Sequence, residues 1–248
     1  MTSYGTPAWL TAQPYAHRGL HDADRVENTL SAIAAAINSG YGIEIDVNLS
    51  KDGEAMIFHD RELVRLCGRP ERLKDLTAAE LNEITYFDFL ETIPTLAQGL
   101  QLIDGGVPLL IEIKTRPGEK VGPLEAAVAR ALKGYDGPVA VMSFSPESMG
   151  WFAEHAPQYL RGQIATSFIE HGYGLGWQKR RELTQLESVA ISQPDFVAYN
   201  ILFLPTAPVR QLRALGMPIL TWTVKDEVLK ARAAAYADQI IFEGVDPA

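Results

Sequence analysis

The sequence predicts an α/β protein, a (β/α)₈ TIM barrel, from its alternation of elements, their number and its length. Short apolar runs of β type alternate with alanine- and leucine-rich runs of helical type along the chain. This alternation indicates parallel strands joined by helical crossovers. Right-handed crossovers would close eight strands into a barrel, and 248 residues is a suitable length for one.

The individual elements follow from hydrophobic periodicity. The eight predicted strands are Pro14–Arg18, Gly42–Val47, Val107–Lys114, Pro138–Ser143, Leu160–Ala165, Phe196–Asn200, Pro218–Thr223 and Gln239–Phe242. The seven predicted helices are Thr29–Ser39, Thr95–Ile103, Leu124–Lys133, Pro146–His155, Gln178–Ala190, Ala207–Leu215 and Lys225–Ala235. Their apolar positions recur every three or four residues. An open doubly wound sheet is the alternative, but the glycine-rich fingerprint after its first strand is absent.

One segment departs from the alternation. Asp52-Gly53 lies between the second strand and another β-type run, Ala55–His59. An Asp-Gly pair in this position predicts a β-hairpin. We therefore expect an extra strand after the second one, followed by a small insertion at residues 60–92, within a single domain spanning residues 1–248.

Composition limits the partners and the location. Lys and Arg number 22 and Asp and Glu 31, for a formal net charge of −9, which does not attract nucleic acid or anionic membranes at long range. Cys67 is the single cysteine, so an internal disulfide is excluded, which fits a reducing compartment. The sequence shows neither a targeting signal nor the ~18 apolar residues of a membrane span. We expect a cytoplasmic protein without an integral membrane segment, and a homo-oligomer stays open.

Polar side chains cluster where the early predicted strands end, which in a barrel is the position of the active site. The residues that share this placement are His17, Arg18, Glu44, Asp46, His59, Glu112 and Lys114. Each alone has an ordinary structural explanation, such as a surface histidine or a solvated arginine. Their occurrence together at one end of neighbouring strands favours a functional site.

The three carboxylates predict a metal site. Glu44 and Asp46 are two positions apart on one strand and therefore point to the same face, and Glu112 lies on the next strand. Burying several carboxylates without a cation is costly. Oxygen ligands of this kind suit Mg²⁺ or Ca²⁺, and also Mn²⁺, rather than Zn²⁺.

The basic side chains near this predicted metal indicate phosphoryl transfer. His17 and His59 are candidates for the general acid and base, since histidine moves protons near neutral pH. Arg18 offers a forked donor for phosphate oxygens and Lys114 a compact positive charge. A cation together with these groups can stabilise phosphate charge while the histidines move protons.

Taken together, these motifs resemble the glycerophosphodiester phosphodiesterase family. The matching motifs are His17-Arg18-Gly19, Glu27-Asn28-Thr29, Glu44-Ile45-Asp46-Val47, Asp52-Gly53, His59-Asp60, Ile93-Pro94-Thr95-Leu96, Glu112-Ile113-Lys114, Ser143-Phe144-Ser145 and Thr221-Trp222-Thr223-Val224. The resemblance covers nearly the whole chain, and the stretch from His17 to Asp60 is its most specific part.

The resemblance implies a barrel with a small insertion at residues 60–92. It implies that Glu44, Asp46 and Glu112 hold the divalent ion, and that His17 and His59 are the general acid and base. Metal-dependent hydrolysis of glycerophosphodiesters to glycerol 3-phosphate and an alcohol is then the expected reaction, within lipid and glycerol metabolism. Which histidine is the acid, and whether water or a substrate hydroxyl attacks, stays open.

The resemblance also assigns supporting roles. Arg18 and Lys114 would bind phosphate oxygens, and Glu27 and Asn28 would support the site. Trp222 would line the pocket for the glycerol end of the substrate, although a core position is an almost equal alternative.

The chain departs from the family pattern at some positions. Ser50 stands where threonine is frequent, Lys225 where asparagine is frequent, and Glu243-Gly244 where a Thr-Asp pair is common. These departures bear on the identity of the substrate more than on the chemistry.

Two alternative functions remain open at the level of sequence. A lysophospholipase D-like diesterase could use the same site with a wide apolar mouth, for which the candidate residues are Phe87, Phe89, Trp177 and Phe203. A non-catalytic barrel could bind phosphodiesters or metal, but binding alone does not require a pair of histidines.

Overall fold

A computed structural model describes residues 5–116, 118–167 and 175–247. The strands are β1 (Tyr15–Ala16), β2 (Gly42–Leu49), β3 (Ala55–Ile57), β4 (Leu109–Ile113), β5 (Val139–Ser143), β6 (Leu160–Ala165), β7 (Phe196–Asn200), β8 (Ile219–Val224) and β9 (Gln239–Phe242). The helices are α1 (Trp9–Ala12), α2 (Leu30–Asn38), α3 (Val64–Cys67), α4 (Ala78–Leu81), α5 (Leu96–Ile103), α6 (Pro123–Ala131), α7 (Pro146–His155), α8 (Trp177–Thr184), α9 (Val189–Ser192), α10 (Ala207–Ala214) and α11 (Glu227–Tyr236). Short 3₁₀ turns occupy Leu73–Asp75 and Ile201–Phe203.

The strands form one sheet in the order β1-β9-β8-β7-β6-β5-β4-β2-β3, and β1 also pairs with β2. This order closes the sheet into a (β/α)₈ barrel and confirms the predicted fold class. The hairpin prediction is also confirmed, because β3 pairs with β2 in antiparallel fashion, Val47 opposite Ile57. Across the described ranges, none of the helices combines the length and the apolar character that crossing a membrane requires.

Sequence and structure agree closely on several elements and differ on one helix. The bounds predicted for β6, β7, β9 and α7 are those observed. The single helix predicted over Gln178–Ala190 is wrong, because the structure has two helices there, α8 and α9. Leu186 between them has a φ of 57°, a left-handed conformation that cannot continue a right-handed helix.

The chain forms two compact units. The first unit comprises Ala16–Thr115 and Lys120–Val139. The second unit comprises Met1–Tyr15, Arg116–Glu119 and Ala140–Ala248. The single domain over residues 1–248 with an insertion at 60–92 stays a prediction.

Within the first unit, residues 60–92 have their own apolar core. Buried side chains from this segment and its flanks pack together: Met56, Phe58, Leu63, Leu73, Ala78, Leu81, Ile84, Tyr86 and Ile93. Helix α4 begins with a capping box, since the Thr77 side chain accepts from the backbone N–H of Glu80 and the Glu80 carboxylate accepts from the N–H of Thr77. These contacts fix the segment that follows His59 in the chain.

Within the second unit, parallel strands β6, β7 and β8 are in register, with Gly162 opposite Phe196 and Tyr199 opposite Thr221. Their buried polar groups are neutral. The Thr221 hydroxyl donates to the Tyr199 carbonyl over 2.6 Å, and the Gln163 amide donates to the Ser143 carbonyl over 3.1 Å. Hydrogen bonds of this kind offset the cost of burying polar atoms.

Candidate active site

Strands β2 and β4 bring three carboxylates together. The two strands pair in parallel with Asp46 opposite Glu112, and Glu44 lies two positions before Asp46 on the same side of its strand. One oxygen from each of the three carboxylates lies within 4.8 Å of the others. Glu44 and Asp46 are each only 1% exposed and Glu112 9%. The grouping of these residues follows the sequence prediction.

Glu44 is the carboxylate with the least compensation. Its Oε2 atom accepts a hydrogen bond from the backbone N–H of Arg18 over 3.0 Å, while its buried Oε1 atom has no hydrogen-bond partner. Burial raises the pKa of Glu44 well above its ordinary value, and the charges of Asp46 and Glu112 raise it further. A bound cation would supply the missing positive charge, so these oxygen donors fit a hard divalent ion.

The other two carboxylates are partly neutralised by side chains. Asp46 lies 2.7 Å from the ammonium of Lys114 and 3.2 Å from Nε of Arg18. Burial would raise the pKa of Asp46, but Lys114 and Arg18 outweigh it and hold the pKa far below its ordinary value. Burial raises the pKa of Glu112, even though Lys114 lies 2.5 Å away. The site thus combines an ionised aspartate with two glutamates that lack full compensation.

Asn28 holds Asp46 from two sides. Its amide nitrogen donates to the Asp46 carboxylate over 2.9 Å, and its amide oxygen accepts from the backbone N–H of Asp46 over 3.1 Å. Asn28 has a φ of 59°, in the left-handed region that asparagine tolerates better than most residues. Asn28 would support the site, as the family resemblance implies, through these two hydrogen bonds.

The turn after β1 requires glycine. Gly19 has a φ of 77°, and a Cβ atom at this position would lie 2.8 Å from the backbone carbonyl carbon of Ala32. The backbone N–H of Gly19 also donates to the carbonyl of Glu44 over 3.1 Å. This close approach of the turn to β2 and α2 places Arg18 against the carboxylates.

His17 and His59 lie within electrostatic reach of Asp46, since a positive charge on either ring lowers the pKa of that carboxyl group. His17 stands in the turn after β1, and His59 stands just after β3. Nδ1 of His59 lies 2.6 Å from Oδ1 of Asp60. Hydrogen bonds to Asp60, together with the charges of Arg65 and His59, outweigh burial and hold the pKa of Asp60 far below its ordinary value. An ionised Asp60 can orient the ring of His59.

Glu27 is held between two arginines. Its Oε1 atom accepts from Nη1 of Arg18 over 2.7 Å and from Nη2 of Arg65 over 2.6 Å. Sequence reasoning predicted Glu27 and Arg18 but missed Arg65, which lies on α3 in the 60–92 segment. A helix of four residues shows no periodicity, and the contact joins positions 38 apart in the sequence. Only the position of Arg65 shortly after the His59-Asp60 motif in the sequence could have indicated a role for it.

Trp222 is the one predicted site residue outside the first unit. It lies on β8, where its indole N–H donates to the Ala198 carbonyl over 2.9 Å. Its ring meets that of Phe144 edge to face, with centroids 5.5 Å apart. Two of the positions that depart from the family pattern, Lys225 and Glu243, form an ion pair of 2.9 Å with each other.

The fold and the site together define a class: barrel enzymes with an acidic centre that could hold a cation, flanked by basic side chains. The chain belongs to the glycerophosphoryl diester phosphodiesterase family, whose sequence model matches residues 17–247. The predicted enzyme class, a phosphoric diester hydrolase of this family, is thereby confirmed.

Solved structures and curated sequences agree with this assignment. A phosphodiesterase from Oleispira antarctica, solved in complex with the product sn-glycerol-3-phosphate, superposes with a TM-score of 0.78 at 26% identity over 93% of this chain and 92% of the other. A glycerophosphodiester phosphodiesterase from Thermotoga maritima gives 0.73 at 27% identity over 92% of each chain. The glycerophosphodiester phosphodiesterase of Caldanaerobacter subterraneus is 33% identical over 160 residues, 60% of this chain and 65% of the relative.

Proposed function

We propose that the protein hydrolyses glycerophosphodiesters to glycerol 3-phosphate and an alcohol, with a divalent cation held by Glu44, Asp46 and Glu112. The observation that carries the proposal is the convergence of these buried carboxylates, one with an unpartnered oxygen, next to Arg18 and Lys114. The similar structure from Oleispira antarctica, which holds sn-glycerol-3-phosphate, supports the choice of substrate.

Binding of the substrate follows from the charges. When bound, the cation supplies Lewis-acid polarisation of the phosphate, for which Mg²⁺ or Ca²⁺, and also Mn²⁺, suits the oxygen ligands. Glu27 and Asp46 orient the guanidinium of Arg18. Its remaining N–H groups bind a phosphate oxygen. Lys114, at 10% side-chain exposure, adds positive charge beside the same carboxylates. These groups stabilise negative charge as it grows on the phosphate in the transition state.

The two histidines move the protons. One removes the proton from the attacking nucleophile, water or a substrate hydroxyl, as the new P–O bond forms, and the other protonates the leaving alkoxide as the old P–O bond breaks. Asp60 accepts a hydrogen bond from Nδ1 of His59, so the Nε2 side of that ring is the side that exchanges the proton. Both histidines are therefore required for turnover.

The experiment measures glycerol 3-phosphate released from glycerophosphocholine with Mg²⁺, Ca²⁺ or EDTA. We expect activity that EDTA abolishes and that His17→Ala lowers by about 100-fold or more. His155→Ala is the matched control, because His155 stacks on Trp151 on a surface helix, and it should retain full activity. Activity that persists in EDTA, or in His17→Ala, would contradict the mechanism.

A lysophospholipase D-like substrate is the other outcome of this assay. Phe87 and Trp177 are 55% and 60% exposed, the former in the first unit and the latter in the second. If lysophosphatidylcholine is cleaved and glycerophosphocholine is not, the same chemistry serves a lipid substrate. If neither is cleaved by folded protein with any of the metals, the catalytic proposal fails.

A further inference from the structure

Arg65 connects two carboxylates that each hold a different predicted site residue. Its Nε donates to Oδ2 of Asp60 over 2.6 Å. Its Nη1 and Nη2 donate to the two oxygens of Glu27 over 3.0 and 2.6 Å. Arg65, Asp60 and Glu27 all lie in the first unit.

Each of these carboxylates also contacts a predicted site residue. The other oxygen of Asp60 lies 2.6 Å from Nδ1 of His59. Glu27 accepts from Nη1 of Arg18 over 2.7 Å. Through these two carboxylates, one guanidinium sets the position of both a proton-transfer group and a phosphate-binding group.

The contact is better suited to positioning than to stability. The Arg65 side chain is 46% exposed, and ion pairs this exposed contribute little to the free energy of unfolding. Its three N–H groups nevertheless fix the orientation of two carboxylates at once, which a single ammonium cannot reproduce. Removing such a group should move the side chains behind the carboxylates by a fraction of an ångström rather than unfold the segment.

We propose that Arg65 is a positioning residue for the hydrolysis, which aligns His59 through Asp60 and Arg18 through Glu27. The proposal rests on the proposed function for its kinetic consequences but not for its geometry. It gives the 60–92 segment a part in the reaction, because α3 of that segment carries the side chain that sets two groups of the site.

The kinetic test compares Arg65→Met and Arg65→Lys with the matched control Arg69→Met. Arg69 lies in the same segment, is 45% exposed and pairs with Glu71 at 2.5 Å, but it contacts no predicted site residue in the described structure. We expect kcat/KM to fall about 10- to 100-fold in Arg65→Met. Misalignment of His59 should lower kcat, and misalignment of Arg18 should raise KM. Arg65→Lys should lie between this variant and wild type, and Arg69→Met should match wild type.

A spectroscopic test makes the two proposals distinguishable. In ¹⁵N-histidine-labelled protein, the ring signals of His59, assigned by their loss in His59→Gln, should shift in Arg65→Met and stay unchanged in Arg69→Met. If wild type has no activity, the proposed function fails, and these signals alone decide whether Arg65 positions His59. Unchanged signals, or kinetic constants of both Arg65 variants within about threefold of wild type with the unfolding midpoint preserved, would overturn the positioning role.

Discussion

Polar side chains are buried in two strand pairs, but they differ in charge. One pair is β2 and β4 of the first unit, and the other is β7 and β8 of the second. In β2 and β4, the paired positions Asp46 and Glu112 are both carboxylates, and Glu44 adds a third. In β7 and β8, the paired positions Tyr199 and Thr221 are neutral, and the Thr221 hydroxyl donates to a backbone carbonyl.

The difference shows where the protein gives up stability. A buried hydroxyl with a hydrogen bond contributes about 1 kcal/mol to folding, whereas a buried carboxylate without full compensation costs free energy until a cation binds. The polar groups of β7 and β8 therefore stabilise the fold, and those of β2 and β4 are retained at a cost that the proposed cation site would explain.

Substitution of the buried Glu44 carboxyl group should have the largest effect and would test this contrast directly. We expect Glu44→Gln to lower glycerol 3-phosphate release by about 100-fold or more, yet to raise the free energy of unfolding of the metal-free protein by about 1 kcal/mol. Thr221→Val is the matched substitution in the other strand pair, and it should lower that free energy by about 1 kcal/mol. Urea unfolding in EDTA measures both stability changes, and an equal loss of stability in the two variants would break the contrast.

The contribution of Glu44 to the free energy of unfolding should depend on pH with a definite sign. Burial and the neighbouring carboxylates raise the folded-state pKa of Glu44 above its ordinary value. The unfolded chain then loses this proton first, so the contribution of Glu44 to stability falls as pH rises past the ordinary carboxyl pKa. The gain from Glu44→Gln should accordingly be larger at neutral pH than at pH about 4. Added Mg²⁺ or Ca²⁺ should raise the unfolding midpoint of wild type but not of this variant.

Substitutions of Asn28 should have an intermediate effect. Asn28→Gly keeps a residue that accepts a φ of 59° but removes the amide that holds Asp46, and we expect kcat/KM to fall about 10- to 100-fold. Asn28→Ala loses the same amide and should also be about 1 kcal/mol less stable than the glycine variant, because alanine is strained at positive φ. Kinetics and urea unfolding of the pair separate the two contributions. A fully active glycine variant would show that the amide is dispensable.

The smallest expected effect is on the reactivity of the Cys67 thiol, which lies in an apolar environment in the 60–92 segment. Burial raises the pKa of the Cys67 thiol to about 11, so only about one thiol in a thousand is ionised at pH 8. Iodoacetamide should therefore label folded protein slowly, and about tenfold faster for each pH unit up to pH 10. Mass spectrometry follows the single site. Rapid labelling at pH 7 would mean that the segment opens readily.

The fold was predictable because its signal is local and repeated. Apolar runs such as Phe196–Asn200 and Pro146–His155 have the length and period of the elements they form, and Asp52-Gly53 marks the hairpin. The split between α8 and α9 was not predictable, because the polar residues around Leu186 suit a helix and only the observed φ of 57° shows the break.

The site was predictable where residues two apart share a strand face, as for Glu44 and Asp46. Arg65 was not, because its contacts depend on how α3 packs beside the turn that carries Glu27, and no periodicity encodes that packing. The raised pKa of Glu44 was expected only in general terms, since side-chain geometry decides that Lys114 and Arg18 neutralise Asp46.

Two of the contacts that assemble the acidic centre join residues at modest separation in the sequence. Arg18 reaches Glu44 across 26 positions, and Asn28 reaches Asp46 across 18. The entropy lost on closing a loop grows only with the logarithm of its length, so such loops are inexpensive to close. The acidic centre is complete only when β4 adds Glu112 and Lys114 across a longer loop, and closing that loop carries the larger entropic cost.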